Sequence, residues 1–369
     1  MIYLDNAATS RKKPMKAIVS LLIESIFSAN PGRSAHRESM KVALKVERVR
    51  EIIKNTFFDG NVIFTKNCTE ALNLAIMGVN PKRKVITTVF EHNSVLRPLK
   101  KLETEGKIKL IIIKPENGTL ENPLKRHLSK DIDMVIFSAI SNVTGESNNV
   151  EKLSKLIKSR SNAMVILDMA QAAGHKKYSY DNVDIIASSG HKGLLGPQGT
   201  GFLLCKKYIK IDPLIVGGTG TSSNSIDIPK SIPEGMEAGT INSPGIISLG
   251  YGIEYVNKNF SKINAKIIRL SNYLCGRLKN IKNIKLLSNN NGIILFNFDK
   301  FSSGEVCDIL SQKFGICARA GLHCAPLIHE YLGTQKSGAV RFSIGNNNNF
   351  FQIIRAHRAL KLIAEGTFD

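Results

Sequence analysis

The sequence predicts an α/β protein: a mainly parallel sheet covered on both faces, followed by a smaller C-terminal α+β unit. Three observations carry this expectation. Over the first half of the chain, short apolar runs alternate with segments of helical periodicity, as strands joined by crossover helices do. Polar clusters follow those runs, where loops beyond the carboxyl ends of parallel strands bind ligands. From about residue 244 the pattern shifts to long helical stretches with fewer strands. The expected division is a large unit at 13–249 and a small one at 250–369, the latter taking in the N-terminal segment 1–12.

In chain order, residues 36–57 read as a helix, with Met40, Ala43, Leu44, Val46 and Val49 near helical spacing. A strand at 62–65 leads into a helix at 71–79 that starts near Thr69 and Glu70. Then come a strand at 84–88, a helix at 94–105, and strands at 108–113 and 133–138. A helix near 150–159 precedes a buried-type strand at 163–167 that ends at Asp168, and strands follow at 183–187 and 201–204. Residues 217–243 are rich in Gly, Ser and Thr and are expected to form an ordered active-site loop. Helices at 245–258 and 263–280, a strand at 293–298, a helix near 304–314 and strands at 316–319 and 339–344 complete the reading. The Asn runs at 289–291 and 346–349 read as polar loops.

Composition narrows the function. With 369 residues and 43% hydrophobic content, the chain can bury a large core. No apolar run approaches the ~20 residues that span a bilayer, so no membrane partner is expected. The N-terminus shows no basic stretch followed by an apolar one, so no secretory signal is expected. Six cysteines are scattered with no C-x-x-C pair, which suits a cytoplasmic protein with free thiols. The net charge of +21 raises nucleic-acid binding as a class. Against it, 36 of the 51 basic residues are Lys spread along the chain, Trp is absent, and no basic–aromatic stripe appears. A basic RNA-binding or scaffold protein stays as the non-enzyme alternative, and a basic surface also suits docking of an acidic protein.

The most specific feature is Ser188-Ser-Gly-His-Lys-Gly-Leu-Leu-Gly-Pro-Gln-Gly-Thr-Gly201, a lysine after a strand within a glycine-rich turn. Such an amine suits attack on a cofactor aldehyde if its site is dry. Asp168 lies 24 residues earlier at the end of an apolar strand, where a buried carboxylate pairs with a pyridinium nitrogen. Taken singly, an Asp after a strand is ordinarily a cap or turn residue, and a Lys is ordinarily exposed.

In this combination the sequence resembles the class V aminotransferase group of fold-type I pyridoxal-phosphate enzymes, and within it the cysteine desulfurases. The motifs occur in family order along nearly the whole chain: Tyr3-Leu-Asp-Asn-Ala-Ala-Thr9, Asn30-Pro-Gly-Arg-Ser-Ala-His36, Asn67-Cys-Thr-Glu-Ala-Leu-Asn73, Glu91-His-Asn-Ser94, Ser141-Asn-Val-Thr-Gly145, Asp168-Met-Ala-Gln171, Ser189-Gly-His-Lys192, Glu237-Ala-Gly-Thr240, Arg319-Ala-Gly-Leu-His-Cys-Ala325 and Val340-Arg-Phe-Ser343. The resemblance implies a seven-stranded, mainly parallel sheet in the large domain, and pyridoxal 5'-phosphate as cofactor. It implies that Lys192 is the Schiff-base lysine, Asp168 the partner of the ring nitrogen, Gln171 a donor to the ring's phenolic oxygen, and His92 the imidazole on the ring face. Thr69, the Cys68 backbone, Ser189 and His191 would form the phosphate cup, with the helix N-terminus favouring an anion. Thr240 matches a residue lent to the neighbouring subunit's cofactor, which implies a homodimer. Asn142, Arg319 and Arg341 resemble groups around the substrate, Asn142 and Arg341 holding its carboxylate. Each has a structural alternative: Thr69 an N-cap, His92 a core histidine, Arg341 an ion-pair residue on an edge strand, Asn142 a turn residue.

Cys324 decides the reaction, because a desulfurase nucleophile must swing to the substrate sulfur. Gly321 and Pro326 bracket it, which suits a mobile loop, and His323 and Arg319 beside it would favour thiolate. Cys205, Cys275, Cys307 and Cys317 read as buried small hydrophobes. Cys317, His323, Cys324 and His329 are poorly spaced for a zinc site, and no metal is expected. The interval of 17 positions from Cys324 to Arg341 resembles the group II desulfurases, which a sulfur-accepting protein activates. Leu322 departs from that pattern where histidine is common, as does the stretch Gly345–Asn349. The expected reaction converts L-cysteine to L-alanine with a persulfide on Cys324, passed to an acceptor protein that supplies iron–sulfur assembly or RNA thiolation. L-selenocysteine is an alternative substrate, and a plain class V aminotransferase or lyase an alternative enzyme.

Overall fold

The computed structural model describes residues 1–32, 36–220 and 224–367, so Arg33, Ser34 and Ala35 of the 30–36 motif lie outside the described residues. The order is β1 (Ile2–Tyr3), α1 (Met15–Phe27), α2 (Arg37–Thr56), β2 (Asn61–Thr65), α3 (Cys68–Val79), β3 (Lys84–Thr88), α4 (Asn93–Thr104), β4 (Lys109–Ile113), α5 (Glu121–His127), β5 (Ile132–Ser138), α6 (Val150–Arg160), β6 (Met164–Asp168), β7 (Ile185–Ser189) and β8 (Gly201–Cys205). After a 3₁₀ turn at Glu234–Met236 come α7 (Ser243–Leu278), β9 (Ile284–Asn290), β10 (Ile293–Phe298), α8 (Ser303–Phe314), β11 (Ile316–Cys317), β12 (Arg319–Gly321), α9 (Pro326–Tyr331), β13 (Ala339–Ser343) and α10 (Phe350–Glu365).

Seven strands form the large sheet in the order β2-β8-β7-β6-β5-β3-β4. Within it β8 pairs antiparallel with both neighbours, and the other pairings are parallel. Every residue of β7 and β8 is buried, as expected of strands with both faces covered. The expected mainly parallel seven-stranded α/β architecture is therefore what the chain forms. One apolar cluster fills one side of the sheet, with Val46, Val49 and Ile53 of α2 and Ile246 and Leu249 of α7. The other side is packed by Leu72 and Ile76 of α3 and Val95 and Leu99 of α4. A four-stranded antiparallel sheet, β12-β13-β10-β9, stands against a third cluster formed with α7, α8 and α10.

Several local expectations are corrected. The stretches expected as two helices at 245–258 and 263–280 are one helix, α7. Its first half packs with Ile253 against the large sheet and its second with Leu270 and Leu274 against the small one. The residues between the two expected stretches, Asn259, Phe260, Ser261 and Lys262, include no Pro or Gly to break the helix. In α2, Met40 and Leu44 are exposed, and the buried stripe is Val42, Val46, Val49 and Ile53. The Asn run at 289–291 is not purely loop, since β9 extends through Asn290 and pairs with β10. The strand expected at 316–319 divides into β11 and β12, which join different sheets. Arg341 lies on no edge, because β13 runs between β12 and β10.

Candidate active site

The carboxyl ends of β3, β5, β6 and β7, with the loop after β2, bring the predicted polar clusters to one end of the sheet. A cleft there is lined by Cys68, Thr69, His92, Asn142, Asp168, Gln171, Ser189, His191 and Lys192, with Asn67, Ser94 and Ser138 between them. Nine of the predicted site residues thus meet in one place.

Local chemistry sets each side chain. Asn67 caps α3 by accepting from the Glu70 amide at 2.9 Å, so Thr69 is not the cap. Its hydroxyl is instead 2.8 Å from Ser94 Oγ. The amides of Cys68 and Thr69 are the first two of the helix and have no intrahelical acceptor. His92 caps α4 with Nδ1, which accepts from the Ser94 amide at 3.1 Å, so the proton sits on Nε2. Burial, then the charges of Lys192, Arg319, Arg341 and Arg97, push this imidazole down to about 4. His92 is therefore neutral.

Asp168 is buried at the end of β6, where Oδ1 accepts from the Ala170 amide at 2.8 Å. The Cys68 thiol lies 3.6 Å from the same oxygen, a contact the sequence did not suggest. Burial pushes the Asp168 carboxyl up and the Lys192 amine down, while the two groups oppose those shifts by mutual attraction. Lys192 is fixed from both sides. The His191 carbonyl accepts from the Ser10 amide at 3.0 Å, Ser10 Oγ at 2.9 Å and Lys13 Nζ at 2.9 Å. A Cβ on Gly193 would sit 2.2 Å from the Ala173 carbonyl oxygen, so glycine lets this turn close against the one after Asp168. Gln171 donates to the Ala7 carbonyl at 2.9 Å, and His191 Nδ1 is 3.1 Å from Thr9 Oγ1.

Arg341 is buried beside the cleft. Nη1 donates to the Asn142 carbonyl at 2.8 Å, and Nη2 pairs with Asp5 at 2.9 Å. Asp5 carried no signal in the sequence beyond its motif. Cys324 is exposed, and Arg319 Nη2 stands 3.9 Å from its sulfur. His323 and Cys324 have left-handed φ values of 51° and 57°. That conformation is uncommon for side-chain-bearing residues. The turn is fastened rather than free: the Asn93 amide donates to the Cys324 carbonyl at 2.7 Å and Asn142 Nδ2 to the His323 carbonyl at 2.8 Å. The expectation that His323 favours a thiolate is corrected, since burial pushes it down to about 3 and it carries no charge. Cys307 and Cys317 are half-buried rather than buried.

Thr240 is not in the cleft. It lines a separate cavity of about 700 Å³ with Arg50, Glu237 and the 218–220 and 232–234 segments. The expected active-site loop at 217–243 therefore lines this second cavity, and none of its described residues lines the Lys192 cleft. Glu237 is held there by a buried fork from Arg50 at 2.7 and 3.0 Å and by the Phe64 amide at 2.6 Å. Glu91 was visible only as part of a cluster. It is fully buried, accepts from Thr88, Ser138 Oγ and the Ser138 amide, and is pushed up to about 7 by burial.

The donor set fits a phosphorylated pyridine aldehyde. Ser189 Oγ and Asn142 Oδ1 line the cleft, are buried, and have no hydrogen-bond partner among the described residues, as does Arg341 Nε beside them. Orphaned buried polar atoms call for an occupant. A buried amine, a buried carboxylate and a helix N-terminus around one space match an aldehyde, a ring nitrogen and a phosphate respectively. Among the described residues no group of His, Cys, Asp and Glu is placed to hold a metal.

Comparison with known proteins agrees. The family model for class-V aminotransferases matches residues 2–355. A probable cysteine desulfurase of Pyrococcus abyssi is 30% identical over 374 residues, covering 96% of this chain and 92% of the relative. The cysteine desulfurase of Wigglesworthia glossinidia brevipalpis is 32% identical over 351 residues, covering 88% and 84%. The apo structure of a cysteine desulfurase from Thermococcus onnurineus NA1 superposes with a TM-score of 0.91 at 28% identity, covering 99% of this chain and 95% of that one.

Proposed function

The chain belongs to the class-V aminotransferase family and, within it, to the cysteine desulfurases, and we propose that it moves the sulfur of L-cysteine onto Cys324 by means of the Lys192 cleft. The observation that carries this reading is the meeting of a buried amine and a buried carboxylate in a cleft whose wall residue Asn142 is bonded to the turn that bears an exposed thiol.

In this reading pyridoxal 5'-phosphate is the cofactor, supplying an aldehyde carbon for the Lys192 amine and a ring that withdraws charge from the substrate Cα. Asp168 would hold the ring nitrogen, Gln171 the phenolic oxygen, and His92, neutral, the ring face. Thr69, Ser189, His191 and the Cys68 amide would hold the phosphate. Once freed, the Lys192 amine takes the Cα proton of L-cysteine; burial favours the neutral form that can accept it. Arg341, with Asn142, holds the substrate carboxylate. The Cys324 thiolate, opposite Arg319, then forms an S–S bond to the substrate sulfur. The substrate Cβ–S bond breaks, its electron pair stays on carbon, and protonation there gives alanine. An exposed thiol suits onward transfer of the persulfide sulfur to an acceptor protein, and six free thiols suit the cytoplasm.

The same reading makes the enzyme a homodimer with Thr240 reaching the partner's cofactor. Leu22, Ile26 and Phe27 of α1 and Met40 and Leu44 of α2 are exposed apolar side chains, which monomeric surfaces rarely gather. A second copy would cover them. The large unit, 13–249, would then hold the cofactor and the small one, 250–369 with 1–12, the cysteine turn. No described helix is long and apolar enough to cross a membrane.

The test is incubation of the cofactor-loaded protein with L-cysteine, followed by intact mass and peptide mapping. A gain of one sulfur atom on Cys324, absent in Cys324→Ala, supports the reading. Normal alanine production by Cys324→Ala refutes it.

A further inference from the structure

Behind the Cys324 turn lies a buried chain of polar groups with no part in the steps above. His323 Nδ1 is 3.2 Å from His329 Nε2, and the two rings lie end to end, 21° from parallel, with centroids 5.4 Å apart. His329 Nδ1 is 2.8 Å from Thr334 Oγ1, and His323 Nε2 is 3.4 Å from the Arg319 carbonyl. His329 lies on α9 and is completely buried; Thr334 follows that helix and is buried too. One arrangement of protons satisfies every atom. The Thr334 hydroxyl gives its one proton to His329 Nδ1 at 2.8 Å rather than to the His329 carbonyl at 3.4 Å, His329 Nε2–H donates to His323 Nδ1, and His323 Nε2–H donates to the Arg319 carbonyl. Each ring then gives one proton and accepts one, as a neutral imidazole must. Burial keeps both rings neutral, at about 3 for His323 and about 4 for His329.

This chain begins at α9 and ends on the backbone of Arg319, the residue whose guanidinium faces the Cys324 sulfur. Its middle link is the ring of His323, which precedes Cys324 in the turn and shares its left-handed backbone. The Asn93 and Asn142 bonds hold this turn by its carbonyls only. The His323 ring fixes the other side.

Resting on the reading of Cys324 as the nucleophile, we propose that His329 and Thr334 are positioning residues, which act through the His323 ring to set where the Cys324 thiol and the Arg319 guanidinium point. Neither touches the Lys192 cleft. Their effect is on the sulfur-transfer half of the reaction.

The experiment compares His329→Leu, which breaks the chain, with His329→Gln, whose amide can donate to His323 Nδ1 while its oxygen accepts from Thr334. Thr334→Val, milder and at the far end, guards against a folding failure of the Leu variant. Two readouts are taken on the full cofactor-loaded chain: the rate of Cys324 alkylation by iodoacetamide, and the rate of persulfide formation from L-cysteine. His329→Leu is expected to change alkylation by several-fold and slow persulfide formation about tenfold, with His329→Gln restoring most of both and Thr334→Val showing a smaller loss. Leu and Gln variants that behave alike, or Leu and Val variants that match the unaltered protein in both rates, overturn the proposal. If the unaltered protein forms no persulfide on Cys324, the functional reading fails, and the alkylation comparison alone decides whether the clamp exists.

Discussion

The side-chain amide of Asn142 donates to the main-chain carbonyl of His323 at 2.8 Å, so one residue of the cleft wall holds the turn that carries Cys324. Its Oδ1, buried and without a partner among the described residues, stays in the cleft. Its main-chain carbonyl takes Arg341 Nη1. Asn142 thus joins the cleft, the cysteine turn and Arg341. Replacing its side chain removes the bond to the turn and the polar oxygen in the cleft, and leaves the main-chain bond to Arg341 in place.

Asn142→Ala is expected to slow persulfide formation about 10- to 100-fold through loss of a buried hydrogen bond and misplacement of the turn. Single-turnover mass measurement checks this. An unchanged rate would show that the bond to His323 has no part in sulfur transfer.

Arg341→Lys is expected to raise the KM for L-cysteine about 100-fold or more. A lysine cannot serve Asp5, the Asn142 carbonyl and a substrate carboxylate together, as a guanidinium fork can. Steady-state kinetics over a wide substrate range separates KM from kcat. A fall in kcat alone would contradict the carboxylate-binding role.

Four imidazoles are kept neutral mainly by burial: His92, His191 and His329 are pushed from 6.5 down to about 4, and His323 to about 3. Unfolded histidines take protons near 6.5, which these folded ones refuse, so their stabilisation is present above pH 6.5 and is lost as pH falls toward 4. Glu91 runs the other way. Its carboxyl is raised from 4.5 to about 7, so its contribution is full below pH 4.5 and lost as pH rises through 7. The raised carboxyls of Asp168 and Glu146 act in the same sense as Glu91, and the buried His175, lowered too, acts with the other imidazoles. The imidazoles outnumber the carboxyls, and the melting temperature is expected to drop between pH 6.5 and 4. Calorimetry across that range checks it; a flat or rising profile would contradict neutral burial.

Leu22→Glu with Leu44→Glu places two charges among the exposed apolar side chains of α1 and α2. In the proposed homodimer the pair is expected to favour the monomer and to weaken cofactor retention, because Thr240 would then reach no partner site. Sedimentation and cofactor release read the two effects. A variant that stays dimeric, with cofactor held as before, would contradict the interface.

Much of this was legible in the sequence because the relevant residues end strands. Asp168 closes an apolar β6, and Lys192 follows an apolar β7 in a glycine-rich turn, so both stood out as polar punctuation. Helix α1 did not, since its apolar residues run round most of its circumference and leave no amphipathic stripe to read. His329 was weighed only as a poor metal ligand: it sits on the six-residue α9, too short for periodicity, and its partners appear only on folding. Asp5 and Glu237 were hidden for the same reason, being defined by Arg341 and Arg50 far along the chain.

The most direct test follows exchange of the L-alanine Cα proton in deuterated water, beside persulfide formation from L-cysteine, in Lys192→Ala and Cys324→Ala. Lys192→Ala is expected to lose both reactions. Cys324→Ala should keep the exchange and form no persulfide, since proton removal belongs to the amine and sulfur capture to the thiol. Exchange that survives without Lys192, or vanishes without Cys324, would contradict this division of labour.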